Sequence, residues 1–296
     1  MINVEKVGYH IAGRPLLQNV SFVAETGQLL AIVGANGAGK STLLKILSKE
    51  LAPDSGKVEM RGENLKSIRN NQLARFRAVL AQNNALAFNF NVSELVMMGR
   101  YPHFDGSPSK QDHEIVEYAL QQTDITHLRD RIFLTLSGGE QQRVLLAKVL
   151  AQLTDIEDIY GLPHPVPQPK YLLLDEPITG LDLYHQHNLL EIIRTLTLRN
   201  FCVIAILHDL NLTMKYADKV LILNSGKTIA FGKPVQVMTP ANIFSAFHIP
   251  VDIIHPPEYT HPFIVHSRSF SEQPMLEEKW GRSNGQSLGF TYKLNQ

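Results

Sequence analysis

Residues Gly34 to Thr42 read GANGAGKST, with Gly34, Gly39, Lys40 and Ser41 at the positions of the pattern G-x-x-x-x-G-K-[ST]. Ahead of them runs LLAIV, Leu29 to Val33, an apolar run that reads as a buried strand. Behind them comes STLLKILSKE, whose apolar residues recur at helical spacing. Strand, glycine loop and helix together make a phosphate cradle. The glycines allow the backbone to turn so that successive N–H groups point inward. The helix start adds unpaired N–H groups and the positive end of its dipole. Lys40 supplies a point charge for β- and γ-phosphates, and Ser41 a hydroxyl for Mg²⁺.

Composition narrows the field. The 296 residues suffice for one large domain or two small ones with a sizeable core. Lys plus Arg and Asp plus Glu are both 28, so the formal net charge is zero. That argues against broad nucleic-acid binding, which relies on a positive surface. The one cysteine, Cys202, lies in the apolar run FCVIAIL and excludes a disulfide framework within the chain. The N-terminal MINVEKVGYH has no signal-peptide core, and no run of 18 apolar residues marks a membrane span.

Outward from the loop, residues 2–7 and 19–24 alternate like strands of a small antiparallel sheet. Between them Tyr9 is placed in a turn ahead of Gly13-Arg14-Pro15, either stacking on a nucleotide base or standing as an ordinary turn tyrosine. Residues 77–82, RAVLAQ, read as a strand ending at Gln82. Helical patterns then fill VSELVMMGR and roughly 110–122 and 138–153, breaking the strand–helix alternation. This block reads as a helical subdomain inserted in an α/β core. Its aromatics Phe88, Phe90, Tyr101 and Phe104 suit core packing or, alternatively, a partner surface. Asp158 to Lys170, DIYGLPHPVPQPK, reads as an extended proline-rich connector.

YLLLDEP, Tyr171 to Pro177, is an apolar strand ending in two carboxylates. Following a phosphate loop, such an ending is the second half of a Mg-nucleotide site. Asp175 holds the metal through its water shell, and Glu176 takes a proton from the attacking water. Gly180-Leu181-Asp182 is a turn just beyond. Phe201 to Asp209 is a buried strand ending at His208, where ligands bind in open α/β sheets. Two short strands, KVLILN and KTIAFG, close the core near residue 232. Beyond it the signal fades. His248, His255, His261 and His266 match no metal-ligand spacing and read as exposed tail histidines, and the last thirty residues are polar.

The second diagnostic stretch is LSGGEQQR, Leu136 to Arg143. Ser137 is an N-cap and Glu140 completes a capping box. Gly138 and Gly139 leave the first-turn N–H groups uncovered, a second anion-binding helix end. Two copies placed head to tail bring LSGGE of one over the phosphate loop of the other.

Taken together these residues resemble the ATP-binding-cassette ATPases over about residues 2 to 235. GANGAGKST looks like their Walker A, Gln82 the Q-loop, LSGGE the signature, LLLDE the Walker B, GLD the D-loop and His208 the switch histidine. The resemblance implies an α/β fold: a P-loop NTPase (RecA-like) core with a small antiparallel β-subdomain and an inserted helical subdomain. It divides the chain at about residue 235, with core at 1–83 and 168–235, helical insert at 84–157, and a partly irregular extension at 236–296. It also implies ATP and Mg²⁺ in a head-to-tail homodimer. ATP would contact Tyr9, which would stack on adenine, and Gly34, Asn36, Gly37, Gly39, Lys40, Ser41 and Thr42. From the partner copy would come Ser137, Gly138, Gly139 and Asp182. Mg²⁺ would meet Ser41, Gln82 and Asp175, with Glu176, His208 and Gln82 as the catalytic set. More narrowly, FNFNVSELVMMGRYPH, HDLNLTMKYAD and LDLYHQHNLL are similar to the ATPases of iron-chelate and cobalamin importers, most of all the haemin importer subunit. Such subunits sit on the cytoplasmic face of the inner membrane. They pair with a permease, met by the 83–104 segment, and through it with an extracytoplasmic binding protein. One departure is ITGLD, where many members have TSALD. A ferric siderophore or cobalamin as cargo, a non-transport cassette ATPase, and a nucleotide-binding regulator without hydrolysis are the alternative expectations. The single cassette without a long coiled coil counts against the second, and Glu176 against the third.

Overall fold

The computed structural model describes residues 1–81, 89–161 and 168–267. β1 (Ile2–Ile11) and β2 (Arg14–Ala24) form a long antiparallel pair. They run further than the alternating 2–7 and 19–24 pattern, and the turn falls at Ala12 and Gly13, both at positive φ. Tyr9 is therefore a strand residue paired with Leu17, not a turn residue. Bulges let the pairing continue past the point where strict alternation ends. β3 (Leu29–Val33) leads through the glycine loop into α1 (Lys40–Leu47). β4 (Ser55–Met60) and β5 (Glu63–Asn64) complete a four-stranded sheet of order β2-β1-β4-β5.

After α2 (Asn70–Ala74) and β6 (Arg77–Leu80) the chain leaves for a helical layer. This holds α3 (Val92–Met97) with a 3₁₀ continuation over Met98–His103, α4 (Lys110–Gln122), α5 (Gly138–Leu153) and α6 (Ile156–Tyr160). α6 takes up Asp158–Tyr160, the start of the expected connector. Arg100 ties the layer together. Its Nε donates to Asp112 Oδ1 at 2.9 Å, and Nη1 donates to the carbonyls of Ala151 and Thr154 at 2.8 and 2.9 Å. The chain returns as β7 (Lys170–Asp175), then α7 (Leu183–Thr197), β8 (Phe201–Ile206), α8 (Leu210–Tyr216), β9 (Lys219–Asn224) and β10 (Lys227–Gly232).

These strands build a six-stranded sheet of order β10-β9-β3-β8-β7-β6, parallel except for the β9–β10 hairpin. Both faces are covered, as a parallel sheet requires. Leu29, Ala31 and Val33 of β3 enter one apolar cluster with the helical layer. Leu30 and Ile32 enter the other, with α1 and the antiparallel sheet. Registers place the strand ends level: Asp175 opposite Ile206, and Ile206 opposite Ile32. Gly34, Glu176 and His208 therefore all emerge within two residues of one line across the sheet.

Where the sequence signal fades, residues 234–266 form further helices and strands. α9 (Pro234–Val237), α10 (Pro240–Phe247) and a hairpin of β11 (Val251–Ile254) and β12 (Phe263–His266) follow β10. Ile243, Ala246, Val251 and Ile264 of this segment are buried in the same cluster as β3 and α8. Among the described residues no helix is long and apolar enough to cross a membrane.

Candidate functional site

The phosphate loop is held by its glycines. Gly34, Gly37 and Gly39 all have positive φ. At Gly39, with φ 99°, a Cβ would lie 2.7 Å from the Leu16 carbonyl oxygen, so β2 runs too close for any side chain. Lys40 opens α1, and its buried Nζ donates to the carbonyls of Gly34 and Ala35 at 2.8 and 3.0 Å. The ammonium thus curls over the loop's own backbone. Burial pulls the Lys40 pKa down, against the opposing fields of Glu176 and Asp175. Asn36 and Gly37 are exposed at the loop's tip, and Thr42 is half-buried one residue into the helix after Ser41.

At the end of β7, Asp175 is buried and accepts a hydrogen bond from Ser41 Oγ at 3.4 Å. Burial and then the neighbouring Glu176 raise its pKa, while the Ser41 hydroxyl opposes. A hydroxyl and a carboxylate, hard oxygen donors at the lip of a phosphate loop, fit Mg²⁺, which takes few protein ligands and keeps water and phosphate for the rest. Glu176 has φ 51°, a left-handed conformation uncommon outside glycine. That turn brings its carboxylate to His208, whose Nε2 donates to Oε1 across 2.6 Å, since a carboxylate oxygen only accepts. Thr179 Oγ1 donates to Oε2 at 3.4 Å. The His208 side chain is 42% exposed and that of Glu176 15%, so the pair opens to solvent on the histidine side.

A second group lies at the start of α5. Ser137 caps the helix by accepting from Glu140 N, while the Glu140 carboxylate accepts from Ser137 N and Oγ, both at 2.8 Å. These donors hold Glu140 below the usual carboxylate range. Among the described residues nothing beyond its chain neighbours and the backbone of its own helix stands within 4 Å of where a Gly138 Cβ would be. Gly139 faces the Gly180 carbonyl and Leu181. Asp182 caps α7, accepting from His185 N at 2.9 Å. Among the described residues no hydrogen bond joins Ser137, Gly138 or Gly139 to the phosphate loop of the same chain.

The structure thus brings Lys40, Ser41, Asp175, Glu176 and His208 into one group, and Ser137, Gly138, Gly139 and Asp182 into another. Tyr9, half-buried on β1, packs against the apolar cluster that includes α1. Gln82 lies outside the described residues. Two connections were not anticipated. Gln142 Nε2 donates to the Pro177 carbonyl at 3.0 Å, joining α5 to the turn after Glu176. Its place three residues after Gly139, on the same face of α5, was the available signal. The other joins the Asn211 amide to both backbone groups of Ile264, and it had no such signal.

Comparison with known proteins agrees with this geometry. The ABC transporter family model matches residues 17–156. The "Hemin import ATP-binding protein HmuV" of Gloeobacter violaceus is 43% identical over 265 residues, covering 90% of this chain and 94% of the relative. Its namesake from Escherichia coli O157:H7 is 41% identical over 90% of this chain and 99% of its own. Among solved structures, an inward-facing metal-chelate type ABC transporter superposes with a TM-score of 0.73 at 28% identity, covering 90% of this chain and 96% of that one. A dimeric bacterial ABC transporter cassette, at 21% identity and TM-score 0.66, covers 79% of this chain and 99% of its own and shares the fold.

Proposed function

The chain belongs to the ABC transporter ATP-binding family, and from that premise we propose that it energises an importer of an iron complex, haemin in the first place. The observation that carries the chemistry is the Glu176–His208 contact, 2.6 Å long, at the strand ends level with the phosphate loop. The 41–43% identity to haemin import ATP-binding proteins supports the cargo.

In this reading ATP lies with its phosphates on the N–H groups of residues 34–42. Lys40 Nζ exchanges its two carbonyl partners for β- and γ-phosphate oxygens, and a charged acceptor more than replaces them. Ser41 and Asp175, with Gln82, would hold Mg²⁺, which when bound neutralises charge on the phosphate oxygens. Glu176 accepts the proton of the attacking water at a carboxylate oxygen. His208 swings its Nε2–H from Glu176 to the γ-phosphate and orients it, freeing the carboxylate. Tyr9 stacks on adenine. Ser137, Gly138, Gly139 and Asp182 of a second copy, placed head to tail, close over the nucleotide. The uncovered first turn of α5, with no hydrogen bond among the described residues to the phosphate loop of its own chain, supports that arrangement. The ATPase domain then spans residues 1–235, with an extension beyond. It works at the cytoplasmic face of the membrane, beside a permease served by an extracytoplasmic binding protein.

The test is Glu176→Gln, which keeps ATP binding and lowers turnover by ~10²–10⁴, or about 3–5 kcal/mol of barrier, as loss of a general base does. Near-normal steady-state turnover refutes the role. For cargo, the chain and its permease are reconstituted in vesicles with binding proteins loaded with haem, ferric siderophore or cobalamin. Stimulation by the haem-loaded protein alone is the expected result, and stimulation by another cargo replaces haemin.

A further inference from the structure

The hairpin beyond β10 is joined to the catalytic loop by one side chain. Asn211, in the first turn of α8, donates from Nδ2 to the Ile264 carbonyl at 3.1 Å and accepts at Oδ1 from Ile264 N at 2.8 Å. Both backbone groups of Ile264 are thereby spent outside the hairpin. That fits a non-hydrogen-bonded pairing with Ile253, in which the ladder leaves those groups pointing outward. Asn211 thus takes the place of a neighbouring strand and closes an open edge of β12.

The clamp sits three residues from His208. Leu207 N donates to the Ile32 carbonyl on β3 at 3.2 Å. Asp209 caps α8, its Oδ1 accepting from Asn211 N and Leu212 N at 2.7 and 2.8 Å. His208 is suspended between these two anchors, one on the central sheet and one on α8. With seven residues α8 cannot hold itself, because so short a helix depends on what packs against it. Packing on the hairpin side is incomplete: a cavity of about 250 Å³ is lined by His208, Leu210, Asn211, Phe247, Ile264 and His266. Beside that cavity the two directional bonds of Asn211 tie the helix start to β12.

We propose that Asn211 is a positioning residue for hydrolysis: by clamping β12 it sets the start of α8 and so the place of the His208 ring against Glu176. The 240–266 segment is then a working part of the catalytic site rather than an appendage. This rests on the reading of Glu176 and His208 given above.

The experiment uses the full chain and compares wild type with Asn211→Ala, Asn211→Asp, His208→Ala, the double variant Asn211→Ala/His208→Ala, and Ile264→Pro. Asn211→Asp keeps the acceptor for Ile264 N but turns a second acceptor on its carbonyl. Ile264→Pro removes the strand's donor at an edge position where proline breaks no ladder bond. Steady-state kcat and KM for ATP are measured, with backbone hydrogen exchange over 205–212 and 260–266. Asn211→Ala is expected to lower kcat ~10-fold with KM within about twofold, as a displaced catalytic group does, while exchange rises in both segments. Asn211→Asp falls between it and wild type, and Ile264→Pro repeats the effect from the other side. In the His208→Ala background Asn211→Ala costs nothing further, because the group it positions is gone. Equal losses in both backgrounds, or faster exchange confined to 260–266 with kcat unchanged, overturn the proposal. If wild type turns over no faster than Glu176→Gln, the hydrolysis reading fails instead. The clamp is then judged by exchange at 205–209, and no change there on Asn211→Ala overturns it.

Discussion

The Arg100–Asp112 pair is a severe test of what holds the helical layer. Both side chains are 6% exposed, and Arg100 reaches three helices, with α3 ending just before it, Asp112 on α4 and two carbonyls at the end of α5. At 2.9 Å the gross attraction is about 6 kcal/mol for an effective dielectric of 20, most of it offset by the water both ions gave up. Asp112→Ala leaves Arg100 buried with neutral carbonyls only, at an expected cost of about 3–5 kcal/mol. It also removes the acceptor for Ser109 N and Oγ, adding about 1 kcal/mol for the lost capping box. Arg100→Met leaves the carboxylate with its two Ser109 donors but without its countercharge, so its cost is of the same order. The double variant strands no charge. It is expected to cost less than the two singles together by about 2–3 kcal/mol. Urea unfolding followed by far-UV circular dichroism supplies the four free energies. The pH dependence has a definite sign. Burial alone would raise the Asp112 pKa, but the Ser109 and Arg100 donors overcome it and leave the group below its ordinary 3.8. The folded state therefore releases this proton first. The contribution is complete above pH 3.8 and is lost as pH falls through the lower folded value, so the gap between wild type and Asp112→Ala narrows in acid. Additivity of the two substitutions within about 0.5 kcal/mol, or a gap indifferent to pH, refutes the reasoning.

Two further outcomes follow from single positions. Gly37→Ala and Gly39→Ala both place a Cβ at positive φ, at about 1–2 kcal/mol each, but only at 39 does the Cβ meet a carbonyl oxygen, at 2.7 Å. Gly39→Ala is expected to exceed Gly37→Ala by about 1–3 kcal/mol in urea unfolding, since β2 is paired along its length and must shift; equal losses contradict the clash. Burial pushes the Cys202 thiol up to about 12 from an ordinary 9.0. The native chain at pH 8 is expected to leave a thiol reagent unreacted and to release one equivalent on unfolding. The unfolded thiol ionises first, so stability from this group is full below pH 9 and drains away between 9 and about 12, a trend that Cys202→Ala abolishes in unfolding midpoints.

Much of this was readable from the chain, for a physical reason. The phosphate loop, the capping box of Ser137 and Glu140, and the helices at 110–122 and 138–153 are each determined within a few residues. Glu176 and His208 were each readable as residues at the ends of apolar strands, whereas the left-handed turn at Glu176 and its contact with His208 depend on how β7, β8 and β3 align, which no local pattern sets. Tyr9 was misplaced because bulges extend β1 beyond its regular alternation. The extension past residue 232 offered one overlooked sign, Thr239 followed by Pro240, an N-cap and first-turn proline that open α10. The Asn211–Ile264 clamp spans 53 residues and joins a side chain to a backbone, so no periodicity announces it.

β3 is five residues long and divides them between two separate interiors, 29, 31 and 33 to one side and 30 and 32 to the other. A slip of one residue would turn every one of these side chains toward the wrong core. The point at which the chain departs the sheet at Gly34 is thus locked by aliphatic groups that never touch nucleotide. Aim, in this molecule, is a by-product of oil: a methylene lost from Ile32 or Val33 would be felt first as a loop that points slightly wrong, and a screen for inactive variants would return buried strand positions alongside the charged residues at the rim.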